Sequence, residues 1–362
     1  MANTTPYFPQ LRAQCAPLGV QLQRTKVSTE SIAGLAALFT SYFGGLLVPA
    51  QKGLGSRQRE LPRVAVFRAF LGQVLLRGAS CRWALSRLQA DAVAKGHQPM
   101  GPSTSAYCQA RSALPLLWLQ AWFAALARWF EPRHQGQWYG RVVRLIDATG
   151  FSMPDTDENR ACWPYAGGQK RGCGFPTGKL GGLFCLHTGR LIAFAQSTWK
   201  AHDLSLARPL LRWLHAGEVL VADRAYCGWF FLVQLLAQKV DFVIRLHQAR
   251  TVRSRRSRSW RETWKRPHRP KGQSKRSWKK QPEELLLRLV RFQVQTRGFR
   301  TQNVIVVTSL LDEKAFPDSA IAELYARRWQ VELHYRQIKT NLSLDVLRGR
   351  TPHMVERELW MH

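Results

Sequence analysis

Tyr325, Arg328, Glu332 and Lys339 stand 3, 7 and 14 residues along from the first in a stretch without Gly or Pro, Tyr325-Ala-Arg-Arg328-Trp-Gln-Val-Glu332-Leu-His-Tyr-Arg-Gln-Ile-Lys339. At 3.6 residues per turn that spacing predicts one helix with the four side chains on one narrow stripe. Leu324, Val331 and Ile338 fall on a separate apolar stripe, so the helix can bury one face and turn the charged one to a groove. A carboxylate flanked by cationic and phenolic groups suits a metal-dependent site acting on a phosphate backbone. Taken alone, Arg328 and Glu332 also fit an ordinary i,i+4 surface pair worth roughly 0.2–0.5 kcal/mol.

Two further carboxylates have the right setting. Asp147 follows the apolar run Val142-Val-Arg-Leu-Ile146, and Asp223 follows Glu218-Val-Leu-Val-Ala222. If the ends of those strands converge, the two carboxylates repel each other unless a cation lies between them. With Glu332 from a packed helix they form an all-oxygen donor set suited to Mg²⁺ or Mn²⁺. Two such ions about 4 Å apart activate a water or a 3′-hydroxyl and stabilise the leaving oxygen of an in-line phosphoryl transfer. An Asp after a strand is also a common helix cap or turn residue, and that alternative stands for each position alone.

Other motifs are weaker. Gly172-Cys-Gly174-Phe-Pro-Thr-Gly178-Lys179 lacks the residues a P-loop needs after its Lys, since position 180 is Leu. His202-Asp203 has no nucleophilic Ser or Cys beside it and reads as a helix start. Asp155 and Asp157 lie in a loop-like stretch and rank below Asp147.

The elements that would carry these residues follow from apolar periodicity. Residues 1–135 read as helical, with 3.6-type spacing from Phe67, from Trp83 and over Leu116–Phe130, and a turn-rich connector over 96–105. Arg57, Arg59, Arg63, Arg68, Arg77 and Arg82 lie in or beside these helices, as DNA contacts or as a solvated face. From 136 to 249 the pattern predicts three strands, a helix over 203–215, a strand, a helix over 229–239 and a strand, with a hairpin turn at His187-Thr-Gly-Arg190. Residues 250–280 are rich in Arg, Lys, Ser and Trp and resemble a solvated insertion. Strands resume over 285–295 and 303–309 before the Tyr325–Lys339 helix.

The bulk numbers name the class of partner. The chain has 362 residues, enough for a sizeable core, and 45% are hydrophobic. Lys and Arg number 54 against 23 Asp and Glu, a net charge of +31. That excess favours a polyanion, nucleic acid before a membrane surface. Seven Cys form no C-x-x-C pair, so reduced thiols in a cytoplasmic protein are expected rather than zinc or a disulfide framework. The N-terminus carries no secretory pattern, and the uncharged run 31–51 is broken by Gly-Gly and Pro49, which predicts a buried helix and a turn rather than a membrane span.

These residues together resemble the DDE-type transposases of bacterial insertion sequences, in the group with the Tyr-x2-Arg-x3-Glu-x6-Lys signature. Tyr325, Arg328, Glu332 and Lys339 match that spacing in full. Ile146-Asp147-Ala-Thr, Gly174-Phe-Pro, Ala222-Asp223-Arg224-Ala-Tyr226 and Ser105-Ala-Tyr-Cys-Gln-Ala-Arg111 support it. The resemblance covers roughly residue 67 to the end. It implies an α/β fold: a ribonuclease H-like catalytic core in two parts (136–249 and 301–362), an N-terminal helical DNA-binding region (1–135), and a β-rich basic insertion (250–300). It implies that Asp147, Asp223 and Glu332 bind two Mg²⁺ or Mn²⁺ ions and carry catalysis, and that Tyr325, Arg328 and Lys339 hold DNA phosphates. The implied partners are double-stranded DNA at terminal inverted repeats and a second copy of the chain in the DNA complex. The implied reaction is cleavage at the transposon ends followed by strand transfer. Some members stack a Trp of the insertion on a flipped base, and Trp260, Trp264 and Trp278 are the candidates. The chain ends 23 residues after Lys339, earlier than is usual in the family. The expectation is therefore a C-terminal truncation, with a non-catalytic remnant that represses at the inverted repeats as the alternative reading.

Overall fold

A computed structural model of the chain describes residues 61–129 except 77, 99, 100 and 102; 138–250 except 168–171 and 173; 257–294 except 272 and 273; and 302–362. The expectations for residues 31–51, for Arg57, Arg59 and Arg77, and for Cys15 and Cys173 lie outside the described residues. The chain divides into two compact units, one of residues 1–6, 131–149 and 179–335, the other of residues 7–130, 150–178 and 336–362.

The first unit is organised by an eight-stranded mixed sheet of order β3-β2-β1-β4-β5-β8-β7-β6. Its strands are β1 (Val143–Ser152), β2 (Thr177–Cys185), β3 (Leu191–Thr198), β4 (Val219–Ala222), β5 (Asp241–Arg245), β6 (Ser259–Lys265), β7 (Glu284–Val294) and β8 (Gln302–Thr308). β1, β4 and β5 run parallel, and β5, β8, β7 and β6 pair antiparallel in turn. β4 is buried at all four positions, as a continuous apolar run in a parallel sheet must be. β2 and β3 form the expected hairpin, closed by Gly189 N–H on Cys185 O and Cys185 N–H on Arg190 O. The starts of β1 and β4 are joined below the surface: Arg144 Nε donates to Glu218 Oε1 at 2.8 Å, and Glu218 Oε2 accepts from the backbone N–H of His215.

Helices complete this unit. α6 (Asp203–Ala207) continues into a 3₁₀ turn over Arg208–Trp213 with Pro209 near its start. The single helix expected over 203–215 is therefore two tighter pieces. His202 caps α6, its Nδ1 accepting from Leu204 N–H, in agreement with the helix-start reading. α7 (Trp229–Ala237) buries Phe231, Leu232 and Leu235 in the core that lines this sheet.

The other unit contains helices α1 (Arg63–Leu75), α2 (Cys81–Ala94), α3 (Thr104–Ser112), α4 (Leu116–Trp129), α5 (Asp157–Cys162) and α11 (Pro352–Met361). Phe67, Phe70, Leu88, Tyr107 and Leu114 form its core, with Trp118 and Trp122 edge-on to Phe67. Asp157 opens α5 behind the cap Thr156, so it stands at a helix start rather than in open loop. Among the described residues, Cys81, Cys108, Cys162, Cys185 and Cys227 are free thiols, and no helix is long and apolar enough to cross a membrane.

Three local expectations change. The Tyr325–Lys339 stretch is two helices, α9 (Asp318–Ala326) and α10 (Trp329–Leu342). At Arg327 and Arg328 the backbone tightens: Arg328 N–H bonds Tyr325 O, Gln330 N–H bonds Arg327 O and Val331 N–H bonds Arg328 O, all three residues back. Asp147 lies inside β1, which continues to Ser152, and not after it. Residues 259–265 are a strand of the main sheet, and Trp264, 4% exposed, belongs to the core. The solvated character expected of 250–280 fails there because β6 alternates, Arg261, Thr263 and Lys265 outward against half-buried Trp260 and Glu262 and buried Trp264.

Candidate active site

The parallel pairing of β1 and β4 brings two of the candidate carboxylates together. Leu145 is paired with Val221; Asp147 lies two residues further along β1, and Asp223 directly follows the end of β4. Asp223 closes β4 and caps the 3₁₀ turn Arg224–Tyr226, its Oδ1 accepting from Ala225 N–H at 2.8 Å. Asp147 Oδ1 accepts from Ala148 N–H at 2.8 Å. Burial pushes the Asp147 carboxyl up to about 6. The Ala148 N–H and Arg328 oppose that rise, and the negative charges of Asp223 and Glu332 add to it.

Glu332 enters from the first turn of α10. Arg328, at the tight turn before that helix, donates through Nη2 to Glu332 Oε1 at 2.9 Å and brings Nη1 to 3.9 Å from Asp147 Oδ2. The guanidinium thus spans the two carboxylates. Arg328 makes this bridge from the tight turn between α9 and α10. Tyr325, in the last turn of α9, is 6% exposed and packs edge-on to Phe292. Burial raises its hydroxyl above the usual range, and Arg328 opposes that rise. Lys339 lies in the last turn of α10, and burial lowers its ammonium against the opposing charge of Asp345.

Among the described residues no three His, Cys, Asp or Glu side chains enclose a position for a metal ion. The donor chemistry nonetheless fits a hard cation. Three carboxylates share one neighbourhood, one of them is held protonation-prone by burial and by the other two, and a cationic guanidinium occupies the space where positive charge is needed.

Of the Trp candidates, Trp264 is in the core beneath Arg250, whose guanidinium lies 3.6 Å from the ring centroid. Trp260 donates from Nε1 to Glu262, and Trp278 donates from Nε1 to Pro267 O with Arg266 4.0 Å from its ring centroid. Asp155 is bound by Tyr165 and Arg160 and Asp203 by Lys179, which are structural pairings. Tyr335 was not among the expected site residues. Its hydroxyl donates to the backbone carbonyl of Asp147 at 2.8 Å. The available sign was its position three residues after Glu332, on the same helix face.

Comparison with known proteins agrees in one direction. The family model described as the transposase DDE domain matches residues 138–362. Transposase InsG for insertion sequence element IS4 of Escherichia coli (strain K12) is 26% identical over 313 residues, which cover 84% of this chain and 68% of that protein. A probable transposase for insertion sequence element IS5377 of Geobacillus stearothermophilus is 26% identical over 228 residues, 61% of this chain and 54% of that protein.

Proposed function

The chain belongs to the transposase DDE domain family, and from that membership we propose that it is an insertion-sequence transposase that cuts DNA at the ends of its element and joins them to new DNA. The observation that carries this reading is the placement of Asp147 on β1 and of Asp223 at the end of the adjacent parallel β4, with Glu332 tied to Asp147 through Arg328. The fold that goes with it is ribonuclease H-like, with the helical region before residue 135 as the DNA-recognition part and 250–300 as the basic insertion.

Asp147, Asp223 and Glu332 would hold Mg²⁺ or Mn²⁺, as two ions. When bound they supply Lewis-acid stabilisation of the charge that builds on the phosphate and its entering and leaving oxygens. The chain's own residues supply the rest. Asp147 is held at the sheet by its strand. Asp223 is fixed by capping the turn that follows it. Arg328 balances the negative charge of Asp147 and Glu332, and its guanidinium is of the type that would hold a DNA phosphate. Tyr325 and Lys339 complete the phosphate contacts, with Tyr325 acting through Arg328. The first step hydrolyses the phosphodiester at the transposon end, leaving a 3′-hydroxyl. That hydroxyl then attacks a phosphodiester of the opposite strand or of target DNA, and one oxygen leaves as the other bonds. A net charge of +31 supports a polyanionic substrate, and a homodimer on paired inverted repeats in the bacterial cytoplasm is the working assembly.

Strand transfer separates this reading from a simple nuclease. Incubating the protein and Mg²⁺ with precut inverted-repeat ends and a target plasmid is expected to give covalently joined products. Cutting without joined products in either Mg²⁺ or Mn²⁺ would leave a nuclease, and binding without either would leave a DNA-binding repressor.

A further inference from the structure

Tyr335 links the two halves of the carboxylate cluster. Its ring is buried, edge-on to Phe184 with centroids 5.0 Å apart. Its hydroxyl donates to Asp147 O at 2.8 Å and lies against Gly182 on β2. A Cβ on Gly182 would come within 2.6 Å of that hydroxyl oxygen, so the absence of a side chain there makes the slot. One buried oxygen therefore fastens α10 to β1 and sits in a slot against β2. Glu332 is one turn earlier on the same face of α10, and Asp147 is the very residue whose carbonyl is held.

A phenylalanine would fill this part of the core as well, and a buried hydroxyl costs stability unless it is bonded. What the hydroxyl adds is registry: it fixes the height of α10 over β1 at the point where two carboxylates must meet one ion. Oxygen ligands hold Mg²⁺ at about 2.0–2.1 Å with little tolerance, less than the slack of a helix packed on a sheet by apolar contacts alone. Resting on the assignment of Asp147, Asp223 and Glu332 above, we propose that Tyr335 is a positioning residue that sets the separation of the Asp147 and Glu332 carboxylates for cation binding, with Gly182 keeping its slot open.

The test is titration of the full chain with Mn²⁺ alone, followed by electron paramagnetic resonance, beside a thermal melt. Tyr335→Phe keeps the ring and is expected to weaken Mn²⁺ binding by about tenfold or more, as loss of a supporting hydrogen bond behind metal ligands does. Gly182→Ala presses on the same oxygen and should do likewise. Ser309→Ala removes a hydrogen bond to Asp241 on the same sheet and should lower the melting temperature without moving Mn²⁺ affinity. Unchanged Mn²⁺ affinity in Tyr335→Phe, or in Gly182→Ala should the first fail to fold, overturns the positioning role. Unchanged affinity in Asp223→Ala overturns instead the carboxylate assignment on which it rests.

Discussion

Asp147 is a carboxyl that the fold makes reluctant to ionise, pushed up to about 6 by burial and by two negative neighbours. In the unfolded chain it would titrate near 3.8. Between those values the folded state binds more protons than the unfolded one, so stability falls as pH rises and the full penalty is reached above pH 6. The metal-free protein should therefore lose up to about 3 kcal/mol from this group between pH 4 and pH 7. Asp147→Asn should remove that slope and melt higher than wild type at pH 7.5, while losing cleavage; a variant no more stable than wild type at that pH would contradict it. Lys339→Ala should weaken binding to inverted-repeat DNA across sequences and reduce the salt slope of log K by about 1, and an unchanged slope would refute a phosphate contact. Asp223 and Glu332 stand out in the sequence as candidates, one ending an apolar strand and the other at helical period from Arg328 and Lys339, although each taken alone also fits a cap or a surface pair. For Tyr335 the sequence offers only its place three residues after Glu332 on the same helix face; its bond to a backbone carbonyl 188 positions away leaves no mark in the spacing.

At the scale of elements, the strands of the first unit were legible wherever an apolar run was continuous, as in β4 and β5, and the hairpin followed from its Thr-Gly turn. The order of strands and helices from Val143 to Arg245 is the expected one, with the short α5 added. Two elements were misread for physical reasons. The α9–α10 junction contains neither Gly nor Pro, and the break is made by backbone bonds that tighten to three residues back, a change that leaves no breaker residue to read. β6 turns Arg261, Thr263 and Lys265 outward within an Arg/Lys-rich stretch, so its composition hid the alternation that buries Trp264. That burial has a measurable consequence. Trp264→Ala should destabilise the fold by about 3–5 kcal/mol, whereas Trp278→Ala, stacked with Arg266 and half exposed, should change stability by less than about 1 kcal/mol. Equal losses in urea unfolding would contradict the placement of β6 in the core. Glu218→Gln should cost about 3–5 kcal/mol in the same measurement, because it strips the charge partner from buried Arg144.

For the whole molecule, charge and chemistry point to the same partner. An excess of 31 positive charges gives long-range attraction to DNA, and the few acidic groups that matter are gathered at the sheet, where only cations or arginine can balance them. Family membership, the mixed sheet and the neighbouring aspartates fit one account: a transposase in which the Arg328 guanidinium lies between the Asp147 and Glu332 carboxylates. The most direct test is cleavage of labelled DNA carrying the element's own inverted repeats, in Mg²⁺ or Mn²⁺, by wild type and Asp223→Ala side by side. The account predicts cutting at the repeat ends by wild type and none by Asp223→Ala, with both binding the DNA to a similar extent. Cutting by Asp223→Ala at the wild-type rate, or no cutting by wild type in either metal, would contradict it.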